Sequence, residues 1–145
     1  MSEEKIKKKA EEFFAHLQIK GEVEVEPQEE GVRVNLKTEE GGLWIGRGGR
    51  ILKALGRLLR LVLKEAGQGL MLDINDYQKK KIERLQELAF RMAEKAKTEG
   101  RPQVLPYMNA YERRIIHLAL KDREDVSAES EGEEPYRRVV IKPKK

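Results

Sequence analysis

The short run Gly46-Arg47-Gly48-Gly49 constrains the fold of this 145-residue chain more than any other feature. An apolar step, Leu43-Trp44-Ile45, leads into it, and an amphipathic segment over residues 51–66 leaves it at once. Glycine reaches backbone conformations closed to other residues, and it lets a ligand approach where a Cβ would clash. A helix that starts on such a turn presents unpaired N–H groups and the positive end of its dipole. Residues 41–64 carry six basic side chains and no acid. The turn is therefore read as a tight connection between two helical segments, suited to a phosphate backbone. The alternative is a plain αα turn with Arg47 and Arg50 merely solvated. A nucleotide-binding P-loop is excluded, because no Gly-Lys-Ser/Thr follows, and Ile51 stands where a dinucleotide fingerprint needs its last glycine.

Hydrophobic spacing places the turn within a small module. Ile6, Ala10, Phe13, Phe14 and Leu17 recur at helical intervals over residues 3–17. Val23 and Val25 alternate with glutamates, residues 27–31 turn the chain, and Val32, Val34 and Leu36 alternate again, which predicts a β-hairpin. After the turn, Leu52, Leu55, Leu58, Leu59 and Val62 form the expected inward stripe, and Leu70, Leu72 and Ile74 a third strand. Residues 1–76 thus read α-β-β-α-α-β. A helix from Tyr77 to about Thr98, with Ile82, Leu85, Leu88, Ala89, Met92 and Ala96 inward, opens a second module. A short strand at Val104 and Leu105 follows. Asn109 with Glu112 forms a capping box for a helix over residues 110–121. Strands over 126–130 and 137–141 flank an acidic turn, so residues 77–145 read α-β-α-β-β. The fold class is α+β, in two modules.

The second module holds the other chemical constellation. Arg113 and His117 lie one helical turn apart and share a face, bordered by Arg114 and Lys121. Tyr111, Ile115, Leu118 and Ala119 are expected to turn the other way, into the core. An exposed Arg/His pair beside the basic strand end Arg137-Arg138 suits contact with a phosphate or a base. Histidine adds a proton-dependent element: neutral, it accepts or donates a hydrogen bond; protonated, it adds a charge. The bland alternative is a solvated helix with an idle histidine.

The net charge of +4 hides strong segregation, since residues 122–134 hold seven acids against one base and residues 135–145 hold five bases and no acid. Basic blocks set between acidic ones suggest faces directed at a polyanion. The absence of cysteine excludes disulfides and thiolate metal sites. With no membrane-length apolar run and no signal-peptide core, the expectation is a cytoplasmic protein without direct membrane insertion.

Read together, the two constellations resemble a known arrangement. The helix–Gly-x-x-Gly–helix order after a hairpin resembles a type II KH domain over residues 3–76. Arg113-x-x-x-His117 resembles an R-three-H domain over residues 77–143. In this order the modules are similar to the SpoIIIJ-associated protein (Jag) family, through Ile45-Gly-Arg-Gly-Gly49, Leu72-Asp-Ile-Asn-Asp-Tyr77, Met108-Asn-Ala-Tyr-Glu-Arg-Arg-Ile-Ile-His117 and Ser130-Glu-Gly-Glu-Glu-Pro-Tyr-Arg-Arg-Val-Val-Ile141. The resemblance implies single-stranded RNA binding, extending to single-stranded DNA. It implies phosphate contacts from Gly46, Arg47, Gly48 and Gly49, extended by Arg50 and Lys53, over an apolar floor of Ile45 and Leu52. It implies a second contact from Arg113, Arg114, His117, Lys121, Arg137 and Arg138. It further implies an RNA chaperone or post-transcriptional regulator linked to cell elongation and envelope synthesis, with a small KH-only partner and an association with the YidC-type membrane insertase.

Two departures from the family pattern matter. Gly48 stands where a basic residue is common, which leaves the turn one charge poorer. Many members carry an extra N-terminal domain, whereas this sequence starts almost at the KH-like module, so the resemblance leaves open any membrane-machinery role carried by that domain. No cofactor, metal site or catalytic residue is read. A nuclease using His117 as base lacks an acid/base partner. The remaining alternative is a protein–protein scaffold or adaptor at the ribosome or insertase. The glutamate-lined hairpin would serve it as a docking edge, and a homodimer through the KH-like module fits either reading.

Overall fold

The computed structural model describes residues 2–66 and 69–144 and divides into two compact units, residues 1–79 and 80–145. The first unit runs α1 (Glu3–His16), β1 (Glu22–Gln28), β2 (Gly31–Lys37), α2 (Gly41–Ile45), a 3-10 turn (Arg47–Gly49), α3 (Arg50–Val62), a second 3-10 turn (Lys64–Ala66) and β3 (Leu70–Ile74). Ser2 caps α1, its hydroxyl accepting from the Lys5 N–H at 3.2 Å. The strands form one sheet in the order β1-β2-β3, with β1 antiparallel and β3 parallel to β2. A parallel neighbour requires a crossover. Here α2, the glycine turn and α3 supply it, so the turn lies on the path from the central strand to its parallel partner.

One face of this sheet carries the core. Ile6, Ala10 and Phe14 of α1 pack with Val34 and Leu36 of β2, Leu72 and Ile74 of β3, and Leu52, Leu55, Leu59 and Leu63 from the α3 segment. The inward side of α3 differs from the expected stripe, because Leu58 and Val62 are 48% and 56% exposed while Leu63 and Gly56 are buried. Leucine or valine fills much of the helix circumference, so the sequence offers two apolar faces. The sheet takes the one on which Gly56 lies against Leu72. The hairpin is also tighter than expected: Pro27 belongs to β1, opposite Val32, rather than to the turn. Proline is admissible on such an edge strand.

β2 is buried on both faces, and its second face is polar. Arg33 donates to Asp73 at 2.9 Å and to Asp76 at 2.6 Å, and the side-chain oxygen of Asn35 accepts from the Asp76 N–H. Burial opposes the charge on Arg33, but the bonds to Asp73 and Asp76 more than offset it, and its pKa is raised. Asp73 also accepts from the backbone N–H groups of Gln78 and Lys79, at 2.8 and 3.1 Å. It thereby caps α4 (Tyr77–Glu99).

The second unit comprises most of α4, β4 (Gln103–Val104), α5 (Ala110–Leu120), β5 (Val126–Glu131) and β6 (Arg138–Pro143). Its sheet has the order β4-β6-β5, antiparallel throughout. Leu85, Ala89, Ala93 and Ala96 of α4 pack with Ile115, Ile116, Leu120, Val126, Val139 and Ile141. The capping box forms as the sequence requires: the Glu112 N–H donates to the Asn109 side chain at 2.8 Å, and the Asn109 N–H to the Glu112 carboxylate at 3.1 Å. The Arg123 hydrogen bond holds the Asp125 carboxyl down at about 2. α5 is rotated from the expected orientation. Tyr111 and Leu118 are about half exposed, whereas Arg113 is only 6% exposed and lies beside Ile116 on the core side.

Candidate nucleic-acid interface

Three glycines give the α2–α3 turn its shape, with positive φ at Gly46 (75°), Gly48 (64°) and Gly49 (80°). They are not equivalent. A Cβ on Gly46 would lie 2.7 Å from Ile51 Cγ1, and one on Gly49 would lie 3.1 Å from the Tyr77 ring. A Cβ on Gly48 would meet nothing within 4 Å, so this residue sits at the open tip of the turn. Gly49 is the N-cap of α3 and supplies no side-chain cap; the N–H groups of Gly49 and Arg50 are taken by the Gly46 and Arg47 carbonyls of the turn.

Arg47, Arg50 and Lys53 are exposed around this tip. Among the described residues none of the three forms an ion pair. The sequence places them together with the turn, and the structure keeps them there. Beneath them Ile45 is half-buried, while Leu52 is 2% exposed and belongs to the core rather than to an accessible floor. The outer side of α3 instead carries Ile51, Leu58, Leu61 and Val62, between 38% and 68% exposed.

In the second unit the expected cationic face is split. Arg114 and Lys121 are exposed on α5. His117 is half-buried, its Nε2 2.8 Å from the Ser130 hydroxyl, which ties α5 to β5. Arg113, expected at the surface beside His117, is turned inward. It donates to the Met108 carbonyl and to the Glu134 carboxylate. A guanidinium on the core side of its helix, bonded to the carbonyl of the buried Met108 and to the carboxylate of the exposed Glu134, is structural in character. Arg137 is half-buried and donates to the Gly132 carbonyl at 2.7 Å. Arg138 stacks over the Tyr107 ring at 5.3 Å.

The Arg138 stack points to two residues that sequence reasoning missed. Tyr107 and Tyr136 are 55% and 66% exposed, yet their rings meet edge to face with centroids 5.5 Å apart. Each follows a proline in a loop, Pro106-Tyr107 and Pro135-Tyr136, and the second is followed by Arg137-Arg138. That repeated Pro-Tyr step is the signal in the sequence that could have found them.

Among the described residues, no group of three or more His, Cys, Asp or Glu side chains is placed to hold a metal ion. No helix among them is long and apolar enough to cross a membrane.

Comparison with known proteins follows this division. The KH domain family model matches residues 3–83, and the R-three-H domain model matches residues 83–143. The RNA-binding protein KhpB of Clostridium symbiosum is 39% identical over 126 residues, which cover 85% of this chain and 57% of that protein. KhpB of Lactiplantibacillus plantarum is 32% identical over 111 residues, 74% of this chain and 34% of that protein. KhpB of Bacillus subtilis is 33% identical over 132 residues, 87% of this chain and 63% of that protein. The chain therefore spans from about a third to under two thirds of the length of these relatives.

Proposed function

Because the chain belongs to the Jag family, in which a KH domain precedes an R-three-H domain, we propose that it is a non-enzymatic, cytoplasmic single-stranded RNA-binding protein with one contact surface on each unit. The observation that carries this reading is the glycine turn: an open tip at Gly48, a helix start at Gly49 with no side chain over it, and Arg47, Arg50 and Lys53 exposed around it without ion pairs among the described residues. Fixed backbone donors and unpaired cations around a Cβ-free approach suit a sugar-phosphate chain, and this is how KH domains clamp nucleotides. Arg114, His117, Lys121, Arg137 and Arg138 form the second contact, with Arg113 behind it. Two weak contacts on one chain reinforce each other through effective concentration. The physiological role is that of an RNA chaperone or post-transcriptional regulator acting in cell elongation and envelope synthesis, as the resemblance implies.

Fluorescence anisotropy with mixed-sequence single-stranded RNA, repeated across a salt series, tests the proposal. If the two surfaces neutralise about five phosphates, log K falls with log salt at a slope of roughly −3.5. A flat profile, or no binding, overturns it. Single-stranded DNA of the same sequence, measured in parallel, reports whether the 2′-hydroxyl is read.

The outer side of α3 favours a second, compatible reading. Ile51, Leu58, Leu61 and Val62 form an exposed apolar strip that belongs to neither core cluster of the described residues. Such a strip suits a second KH domain, in another copy of this chain or in a small KH-only protein. Replacement Leu58→Asp is expected to shift a dimer to monomer in light scattering while circular dichroism stays unchanged. A wild type that remains monomeric alone and with a KH-only protein rules this reading out.

A further inference from the structure

We propose that Tyr107 and Tyr136 form a stacking platform for a nucleobase of single-stranded RNA, and that Arg113 is the positioning residue that holds the platform together. The inference rests on the RNA-binding reading above and goes beyond it, by locating a base contact and by giving the arginine of Arg-x-x-x-His an indirect role.

The exposure of the pair is the first observation. Two tyrosine rings more than half exposed are held against each other at 5.5 Å. Between them the rings have four faces. Their edge-to-face contact covers one, and the Arg138 guanidinium covers one face of Tyr107. At least two faces remain uncovered by these contacts. Every base has a π-face, and stacking on tyrosine contributes to single-strand binding regardless of sequence. Arg138 beside the ring brings a positive charge to the same spot, where a base and its phosphate would arrive together.

The second observation is how the loops are fixed. Tyr107 lies between β4 and α5, and Tyr136 between β5 and β6. The Leu105 and Met108 N–H groups donate to the Val139 and Arg137 carbonyls, at 3.0 and 3.3 Å. Arg113 reaches from α5 to both loops. One terminal nitrogen donates to the carbonyl of Met108, next to Tyr107, and the other to the carboxylate of Glu134, two residues before Tyr136. A bidentate guanidinium is suited to such bracing, because its donors are rigidly spaced and permanently charged. A platform set in advance avoids the ordering cost that two free loops would incur on binding.

The test uses the full chain and fluorescently labelled single-stranded RNA, beside an abasic strand of the same length. Tyr107→Ala and Tyr136→Ala are expected to weaken RNA binding by about 5-fold to about 150-fold, the span of one stacked base, with an unchanged salt slope. Tyr107→Phe retains the ring and stays within about 2-fold of wild type. On the abasic strand the alanine variants bind like wild type. For Arg113 the informative change is Glu134→Gln, at an exposed carboxylate whose removal electrostatics alone would translate into tighter RNA binding. A positioning role predicts the opposite sign, weaker binding with the same salt slope. Alanine variants that match wild type on RNA, while wild type keeps its salt-dependent binding, overturn the platform and leave the RNA reading standing. Tighter binding by Glu134→Gln overturns the role of Arg113. Absence of wild-type RNA binding overturns both the platform and the reading beneath it.

Discussion

Reversing the charge at the tip of the glycine turn, with Arg47→Asp and Gly48→Asp together, is expected to lower affinity for mixed-sequence single-stranded RNA on the order of 100-fold. Two exposed unit charges about 4 Å apart in water interact by about 1 kcal/mol. Arg47→Asp exchanges one such attraction for one repulsion, and Gly48→Asp adds a second repulsion. The sum is about 3 kcal/mol. The salt slope should flatten by roughly 0.7 for each phosphate that the variant no longer neutralises. The fold should survive, because a side chain at Gly48 meets nothing within 4 Å. Aspartate is also among the residues that tolerate a φ of +64° best. Circular dichroism checks the fold and anisotropy the affinity. Unchanged affinity in a folded variant would remove the turn from the RNA-binding surface and leave the second unit as the only candidate.

The largest effect on stability is expected from Asp73→Ala, a loss of about 3–5 kcal/mol read from the urea midpoint of the first unit. Asp73 is fully buried and accepts from the Ile74, Gln78 and Lys79 N–H groups and from Arg33. Its removal leaves three backbone donors without that partner and a buried guanidinium with only Asp76, and the more distant Glu26, to balance it. An uncompensated buried charge costs far more than the pair contributes when intact. The double replacement Arg33→Met with Asp73→Ala should therefore recover part of the loss, since it removes the stranded charge along with its partner. If Asp73→Ala shifts stability by less than about 1 kcal/mol, water satisfies these groups and the network is not a source of stability.

The order of elements in both units was legible because their apolar residues follow one period at a time. Val32, Val34 and Leu36 alternate, Leu85, Ala89 and Ala96 recur at helical spacing, and the Asn109–Glu112 box marks a helix start by chemistry alone. The orientation of α3 was less legible, because leucines occupy two of its sides and only the sheet decides between them. Arg113 was misplaced for a different physical reason. Charge normally marks a surface position, and nothing local to the helix announces that Met108 and Glu134 supply partners for a guanidinium on the core side. The candidate RNA-binding residues at 46–50 and 53 were accessible to sequence reading because one continuous segment contains them. For the tyrosine pair the repeated Pro-Tyr step marks the two residues but not their contact, since residues 107 and 136 meet only after β4, β5 and β6 assemble.

The brace at Arg113 has a consequence for anyone who would re-engineer this surface. The loop before α5 and the loop before β6 are joined through this side chain as well as through the Met108 N–H bond to the Arg137 carbonyl, so a change of length in one loop strains the other. A graft of the Pro-Tyr loops onto another scaffold would have to carry an arginine at the matching place on the adjoining helix. A library randomising residues 106–108 would need to vary 133–136 in step. What can be moved or redesigned as one piece is a triad drawn from three separate stretches of chain.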